Sequence, residues 1–253
     1  MRIMLKLRAD QDQKDVSTDY NRMHDFVSGL ILKAGQGGIH DKKGLNVFSF
    51  SNIFPYGDAK RGDMKKLVIA SPSREVIKRL RSVLTRMIWS PLSIGDCRFS
   101  PQSVQEFGMK VGAPLKIISA TPILLMIPEN MYDTYRVPEK ERWPGYAYWR
   151  TEISQEAFIR QLSLNLIQKY NDYHGTELSH PALFEKFTFR RPVYTRITIE
   201  GGKSEGVAAS MWEFRWTHLD DVQKEILAFA LDAGFGDRNE MGFGFVNVIR
   251  ERQ

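Results

Sequence analysis

Between residues 234 and 244 the chain reads Gly-Phe-Gly-Asp-Arg-Asn-Glu-Met-Gly-Phe-Gly, a Gly-Phe-Gly triplet repeated after five intervening residues. Four glycines this close together constrain the fold strongly. Glycine in a regular element costs about 0.5–1 kcal/mol relative to alanine, so it belongs where the backbone needs positive φ or a very close approach. The apolar spacing before the loop predicts a helix over 219–232, and residues 244–249 predict a strand. The order helix, loop, strand excludes a dinucleotide fingerprint, which runs strand, loop, helix and sets pyrophosphate on the helix N-terminus. A P-loop would end in Gly-Lys-Ser/Thr, and this loop ends in Gly-Phe-Gly. A C-cap glycine at Gly234 accounts for one of the four. The others predict a loop suited to close backbone contact with a phosphate chain.

The 253 residues hold one large domain or two of about half that length. Residues 108–114 contain glycines and a proline, and they mark the boundary between domains at 1–110 and 111–253. The N-terminus alternates apolar and basic residues without a secretory apolar region. The longest aliphatic run, residues 123–127, is far too short to span a bilayer. One cysteine, Cys97, cannot form an internal disulfide, which predicts a reducing, cytoplasmic setting. A net charge of +6 favours an anionic partner, and no basic tail concentrates it.

Periodicity gives the same element order twice. Residues 2–8 alternate as a strand with Ile3, Leu5 and Leu7 inward. Met23, Phe26, Val27, Leu30 and Ile31 form a helical stripe. Strands follow over 45–51 and 66–70, a helix over 71–89 and a strand over 98–107. The helix exposes Arg74, Lys78 and Arg81 on one face. The second half predicts a strand through 115–127, an aromatic insertion over 132–149 and a helix over 154–173. Paired strands over 187–199 and 207–216 precede the last helix, the glycine loop and a closing strand. Strand, helix, strand, strand, helix, strand is the split βαβ order, so the fold class is α+β: tandem ferredoxin-like, RRM-like domains with a C-terminal glycine-rich loop.

Several residues can carry chemistry. His40 follows a glycine run and precedes Lys42 and Lys43. An imidazole there suits general acid–base work, and the lysines can neutralise a bound phosphate. His24 lies beside the apolar stripe of the first helix, Tyr20 at its start and Lys33 near its end. Trp212, Phe214 and Trp216 alternate along one strand, where filling a sheet–helix core is favoured over stacking bases. Tyr146, Tyr148, Trp149 and Arg150 are expected at the edge of an RNA groove. No histidine pair, and no histidine–carboxylate pair, has metal-ligand spacing, so neither a metal nor a cofactor is expected.

Together these stretches resemble the CRISPR-associated precursor-RNA processing endoribonucleases of the Cas-six type. The glycine loop is similar to that superfamily's C-terminal signature at every glycine. Asp19-Tyr20-Asn21 opens the first helix. Residues 39–44, Ile-His-Asp-Lys-Lys-Gly, precede Phe48-Ser49-Phe50-Ser51 as in the family's histidine–glycine–strand segment. Ala120-Thr121-Pro122-Ile123 resembles its Ser-Pro-Ile strand opening, with threonine at the serine position. Residues 164–170, Leu-Asn-Leu-Ile-Gln-Lys-Tyr, resemble its Asn-Leu-x-x-Lys-Tyr helix. The resemblance implies metal-independent cleavage of CRISPR repeat RNA, with His40 as the first choice for proton transfer and Lys33 or Lys42 stabilising the transition state. Many members carry a tyrosine within the first helix as partner to the histidine. Here Tyr20 stands at the helix start and His24 one turn further on, so either can fill that role. RNA contacts are expected from Lys42, Lys43, Arg150, Gly234, Gly236, Arg238, Gly242 and Gly244. The alternative is a non-catalytic RNA-binding subunit working with other CRISPR effector subunits.

Overall fold

The computed structural model describes residues 1–15, 19–35, 47–198 and 202–249. His40, Lys42 and Lys43 lie outside the described residues. The chain is α+β with two principal sheets and divides into two units. One comprises Met1–Met109 with Asn239–Gly242; the other comprises Lys110–Arg238 with Phe243–Gln253.

In the first unit, β1 (Arg2–Ala9) is central, flanked antiparallel by β3 (Met64–Ala70) and β5 (Cys97–Phe107). The sheet order is β2-β3-β1-β5-β4, with β2 at Ser49–Phe50 and β4 at Leu92–Ile94. The predicted 45–51 strand is thus two residues long among the described positions. The alternation in β1 sends Ile3, Leu5 and Leu7 into the core, each at most 1 % exposed. Helices α1 (Tyr20–Gly35) and α2 (Arg74–Arg86) supply the facing apolar stripes: Met23, Val27, Leu30 and Ile31 from one, Val76, Ile77, Leu80 and Leu84 from the other. Ser73 caps α2 by accepting from the Val76 N–H at 3.3 Å.

In the second unit the sheet order is β10-β11-β6-β12, from β10 (Lys186–Thr198), β11 (Ser204–Trp216), β6 (Leu115–Ser119) and β12 (Val246–Val248). Helix α3 (Gln155–His174) is capped by Ser154, and α4 (Asp221–Ala233) by an Asp220–Gln223 capping box. Trp212, Phe214 and Trp216 are core residues at 1, 0 and 1 % exposure. Trp212 stacks on Phe158 of α3 with centroids 4.2 Å apart. The indole N–H groups of Trp212 and Trp216 donate to Ser210 Oγ at 2.7 Å and Leu183 O at 3.0 Å, which removes the penalty of burying them.

Two expectations need correction here. The strand predicted through 115–127 is three pieces: β6, β7 (Ile123–Leu124) and β8 (Met126–Pro128). Pro122 has no N–H for a ladder, and the Ala120 and Thr121 N–H groups turn instead to Phe245 O at 2.9 and 3.0 Å. Tyr148 and Trp149 are buried rather than lining a groove. Tyr148 lies on β9 (Tyr146–Tyr148), which pairs with β8. The Trp149 ring packs edge-on against Phe158 at 4.9 Å.

Candidate active site

Tyr20 and His24 stand one helical turn apart on α1 and so share a face. Asp19 precedes them and caps the helix start, its Oδ1 accepting from the Arg22 N–H at 3.1 Å. Within the same unit, His24 Nδ1 is 2.7 Å from the backbone oxygen of Glu240 and 3.3 Å from Ser28 Oγ. A carbonyl oxygen only accepts, so the short contact puts the proton on Nδ1. In the neutral ring Nε2 then carries the lone pair and can take a proton; in the charged ring it can give one. The segment supplying that carbonyl is a single 3-10 turn, Asn239–Met241, closed by the Gly242 N–H donating to Asn239 O at 3.0 Å. Gly242 has φ +93°, and a Cβ there would sit 3.0 Å from the Phe50 ring and 3.7 Å from the Tyr20 ring. Its missing side chain lets both aromatics close on the turn.

Lys33 does not join this group. Nine residues separate it from His24, two and a half turns, which puts it on the opposite side of α1 and about 14 Å along the axis.

The flanks of the glycine loop belong to the second unit, where three signature stretches meet. Gly234 ends α4, its N–H donating to Ala230 O at 2.8 Å. The Phe235 N–H donates to Gly244 O at 2.9 Å, and the Gly244 N–H to Pro122 O at 2.7 Å. Gly236 has φ +72°, and a Cβ would fall 2.2 Å from Leu124 O. The Asp237 N–H donates to that same oxygen at 2.8 Å. Asn165 and Lys169, four apart on α3, clamp the loop from the helix side. Asn165 Nδ2 donates to Asp237 Oδ1 at 2.7 Å, and the Lys169 ammonium donates to the Gly234 and Gly236 oxygens. The Met126 N–H holds the other Asp237 oxygen at 2.7 Å. Burial pushes the Asp237 carboxyl above the ordinary carboxylate range, against the opposing pull of Lys169 and these hydrogen bonds. Thr121 Oγ1 accepts from the Phe245 N–H at 2.8 Å, a bond that needs a hydroxyl side chain here.

Gly234, Gly236, Gly242 and Gly244, the loop positions expected to contact RNA, pack against the protein itself. All four are buried, and each has a protein neighbour at hydrogen-bond or van der Waals distance. Phe235, Phe243 and Phe245, at 0, 0 and 1 % exposure, anchor the loop in apolar surroundings. Sequence reasoning placed Asn165 and Lys169 within a helical motif without giving either a role. Two polar residues at i, i+4 on a helix were the available signal of a clamp.

Arg238 adopts φ +53°, and its guanidinium donates to Glu205 Oε2 at 3.1 Å and Tyr146 OH at 3.2 Å. Tyr146 and Tyr148 hydroxyls donate to Glu205 Oε1 at 2.9 and 2.6 Å. Glu205 thus offsets the charge that Arg238 was expected to offer a phosphate. Arg150 pairs with Glu141 at 2.9 Å and lies over the exposed Tyr194 ring, 5.8 Å from its centroid. Among the described residues no three His, Cys, Asp or Glu side chains are grouped to hold a metal ion, and no helix is long and apolar enough to cross a membrane.

This fold is shared with solved structures of CRISPR-associated proteins. A solved structure described as CRISPR associated protein Cas6 superposes with TM-score 0.72 at 19 % identity, covering 99 % of each chain. Another, described as an RAMP protein binding different RNA substrates, gives 0.68 at 18 % identity and covers 99 % of this chain and 100 % of that one. Residues 115–248 match the family described as CRISPR associated protein Cas6, C-terminal. The chain belongs to the Cas6 family of CRISPR-associated endoribonucleases. It is similar to the CRISPR-associated endoribonuclease Cas6 of Haloferax mediterranei, 27 % identical over 263 residues, covering 99 % of this chain and 94 % of that protein.

Proposed function

We propose that the protein binds CRISPR repeat RNA and cleaves precursor crRNA by attack of a ribose 2′-OH on the adjacent phosphate. The 2′-O–P bond forms and the P–O5′ bond breaks, leaving a 2′,3′-cyclic phosphate and a 5′-OH. One group takes the 2′-OH proton and another supplies a proton to the departing 5′-oxygen, so a histidine pair suffices without a redox or metal step. Family membership supports the reaction class. The observation that carries the reading is the 2.7 Å contact of His24 Nδ1 with the Glu240 carbonyl, which leaves Nε2 as the working nitrogen. His40 is the second proton-transfer group, with Lys42 and Lys43 beside it in sequence to offset phosphate charge. Tyr20, on the His24 face of α1, orients the histidine or the RNA. The strand orders β2-β3-β1-β5 and β10-β11-β6-β12 support reading the units, divided near residue 110, as ferredoxin-like, RRM-like domains.

Single-turnover cleavage of repeat RNA by His40→Ala and His24→Ala, with binding measured separately, tests this reading. General acid–base groups contribute about 10²–10⁴-fold each, so each variant should slow cleavage at least about a hundredfold with repeat affinity nearly intact. Tight repeat binding by the unaltered protein without cleavage at any pH favours the non-catalytic subunit instead.

A further inference from the structure

One surface of the first unit has no duty in the reaction above. Arg74, Lys78 and Arg81 fall within one stripe of α2, all exposed, and Thr85 continues it. Among the described residues neither Arg74 nor Lys78 has an ion-pair partner, and Arg81 has only Glu106 at 3.7 Å. Helix stability does not explain the stripe. Arg74 occupies the first position of α2, where the helix dipole disfavours a cation, and Lys78 gains nothing one turn on. By contrast Arg79 pairs with Glu75 at 2.7 Å, and Arg86 hydrogen-bonds Ser82.

Four residues past Thr85 stands Trp89. It is 69 % exposed, and its backbone is left-handed at φ 66°. A bulky residue there is strained by about 1–2 kcal/mol relative to the ordinary helical region, and an exposed indole forgoes the burial that would offset it. The turn is pinned from both sides: the Trp89 N–H donates to Pro101 O at 2.9 Å, and the Ser90 N–H to Met87 O at 2.9 Å. The fold therefore holds an aromatic plane out to solvent just past the C-terminal end of a helix that exposes a row of cations, two of them without an acidic partner among the described residues. Single-stranded nucleic acid is bound in that way, phosphates on cations and bases on aromatic faces, without reading sequence.

We propose that Arg74, Lys78, Arg81 and Trp89 form a sequence-independent track for single-stranded RNA. This extends the RNA-processing reading to a surface that the cleavage chemistry does not use.

The probe is a short oligouridylate, titrated by fluorescence anisotropy at several salt concentrations. The variants are Arg74→Glu/Lys78→Glu/Arg81→Glu, Trp89→Gly and, as a control, Trp143→Ala, whose indole is 67 % exposed in the other unit. With three phosphates of a single strand no longer neutralised, the log–log salt dependence should flatten by about 2. Loss of one stacked base should weaken binding at least about fivefold. Trp89→Gly removes the left-handed strain, so its melting temperature should hold or rise while its affinity falls; a merely structural role would lower the melting temperature. Trp143→Ala should bind as the unaltered protein does. Equal oligouridylate affinity in the triple variant overturns the proposal, as does a Trp89→Gly variant indistinguishable from the control. Competition by polyglutamate as effective as by RNA also overturns it, in favour of an acidic protein partner. Cleavage of repeat RNA by the unaltered protein is read in parallel: its absence removes the ribonuclease reading, whereas oligouridylate binding judges the track by itself.

Discussion

Replacing Gly236 with alanine tests what the glycine loop is for. The new methyl group would meet Leu124 O at 2.2 Å and Ile123 Cγ2 at 2.8 Å, and both residues are fully buried. The nearest obstacle is backbone, so a rotamer change cannot relieve it. Three costs apply. Holding φ near +72° costs an L-residue about 1–2 kcal/mol. Forcing extra volume into packed surroundings costs about 1–3 kcal/mol. Moving Leu124 away weakens the 2.8 Å bond from the Asp237 N–H, worth about 1 kcal/mol. The combined loss should be on the order of 4 kcal/mol, a large fraction of a typical domain's stability. Gly202→Ala is the control, because Gly202 has φ +74° with nothing within 4 Å of its Cβ position; it should cost only the conformational penalty. Urea unfolding reads both, and the Gly236→Ala midpoint should fall well below that of Gly202→Ala with an unchanged slope. Equal midpoints, with RNA affinity lost only in Gly236→Ala, would refute the reasoning and favour the loop as a direct RNA contact.

Two further predictions concern titration and reactivity. Burial pushes the Glu213 carboxyl up, but hydrogen bonds from Arg190, Arg215 and Lys116 outweigh that and hold it at about 2, below the ordinary 4.5. A lowered folded-state value means stability that is present above the unfolded value and lost as pH falls. The arginines are about half exposed, so screening leaves the cluster worth about 1–3 kcal/mol rather than the full shift. Urea midpoints of Glu213→Gln and the unaltered protein should therefore differ at pH 7, converge from about pH 4.5 downward and coincide near pH 2; a gap that stays constant with pH would contradict the assignment. Cys97 is buried, and that burial raises its thiol while the sulfur donates to Lys14 O at 3.3 Å. Iodoacetamide should label it slowly in the native protein and rapidly in urea; equal rates would show that the site is open.

Much of the architecture was legible because burial writes itself into periodicity. The alternation in residues 2–8 and the stripes of α1 and α2 follow from one-sided packing, and both became core. Trp212, Phe214 and Trp216 were likewise readable as one buried face. Legibility failed where a long-range partner overrode local pattern. Residues 115–127 are apolar enough for one strand, yet Pro122 and the carbonyl of Phe245 divide them. The loop glycines signal a close approach, but sequence does not say which protein groups make it. The approaching groups are Leu124 and Phe50, distant along the chain. His24 was identifiable as a candidate, but the Glu240 carbonyl that sets its tautomer lies 216 residues away. Lys33 shares α1 with His24 but stands two and a half turns along it, on the opposite side.

The most direct test of the account is cleavage of repeat RNA in chelator, compared with the same RNA carrying a single 2′-deoxy residue before the cut. The account predicts cleavage of the first, with 2′,3′-cyclic phosphate and 5′-OH ends, and none of the second. Cleavage that requires magnesium, or that survives the 2′-deoxy substitution, would contradict it.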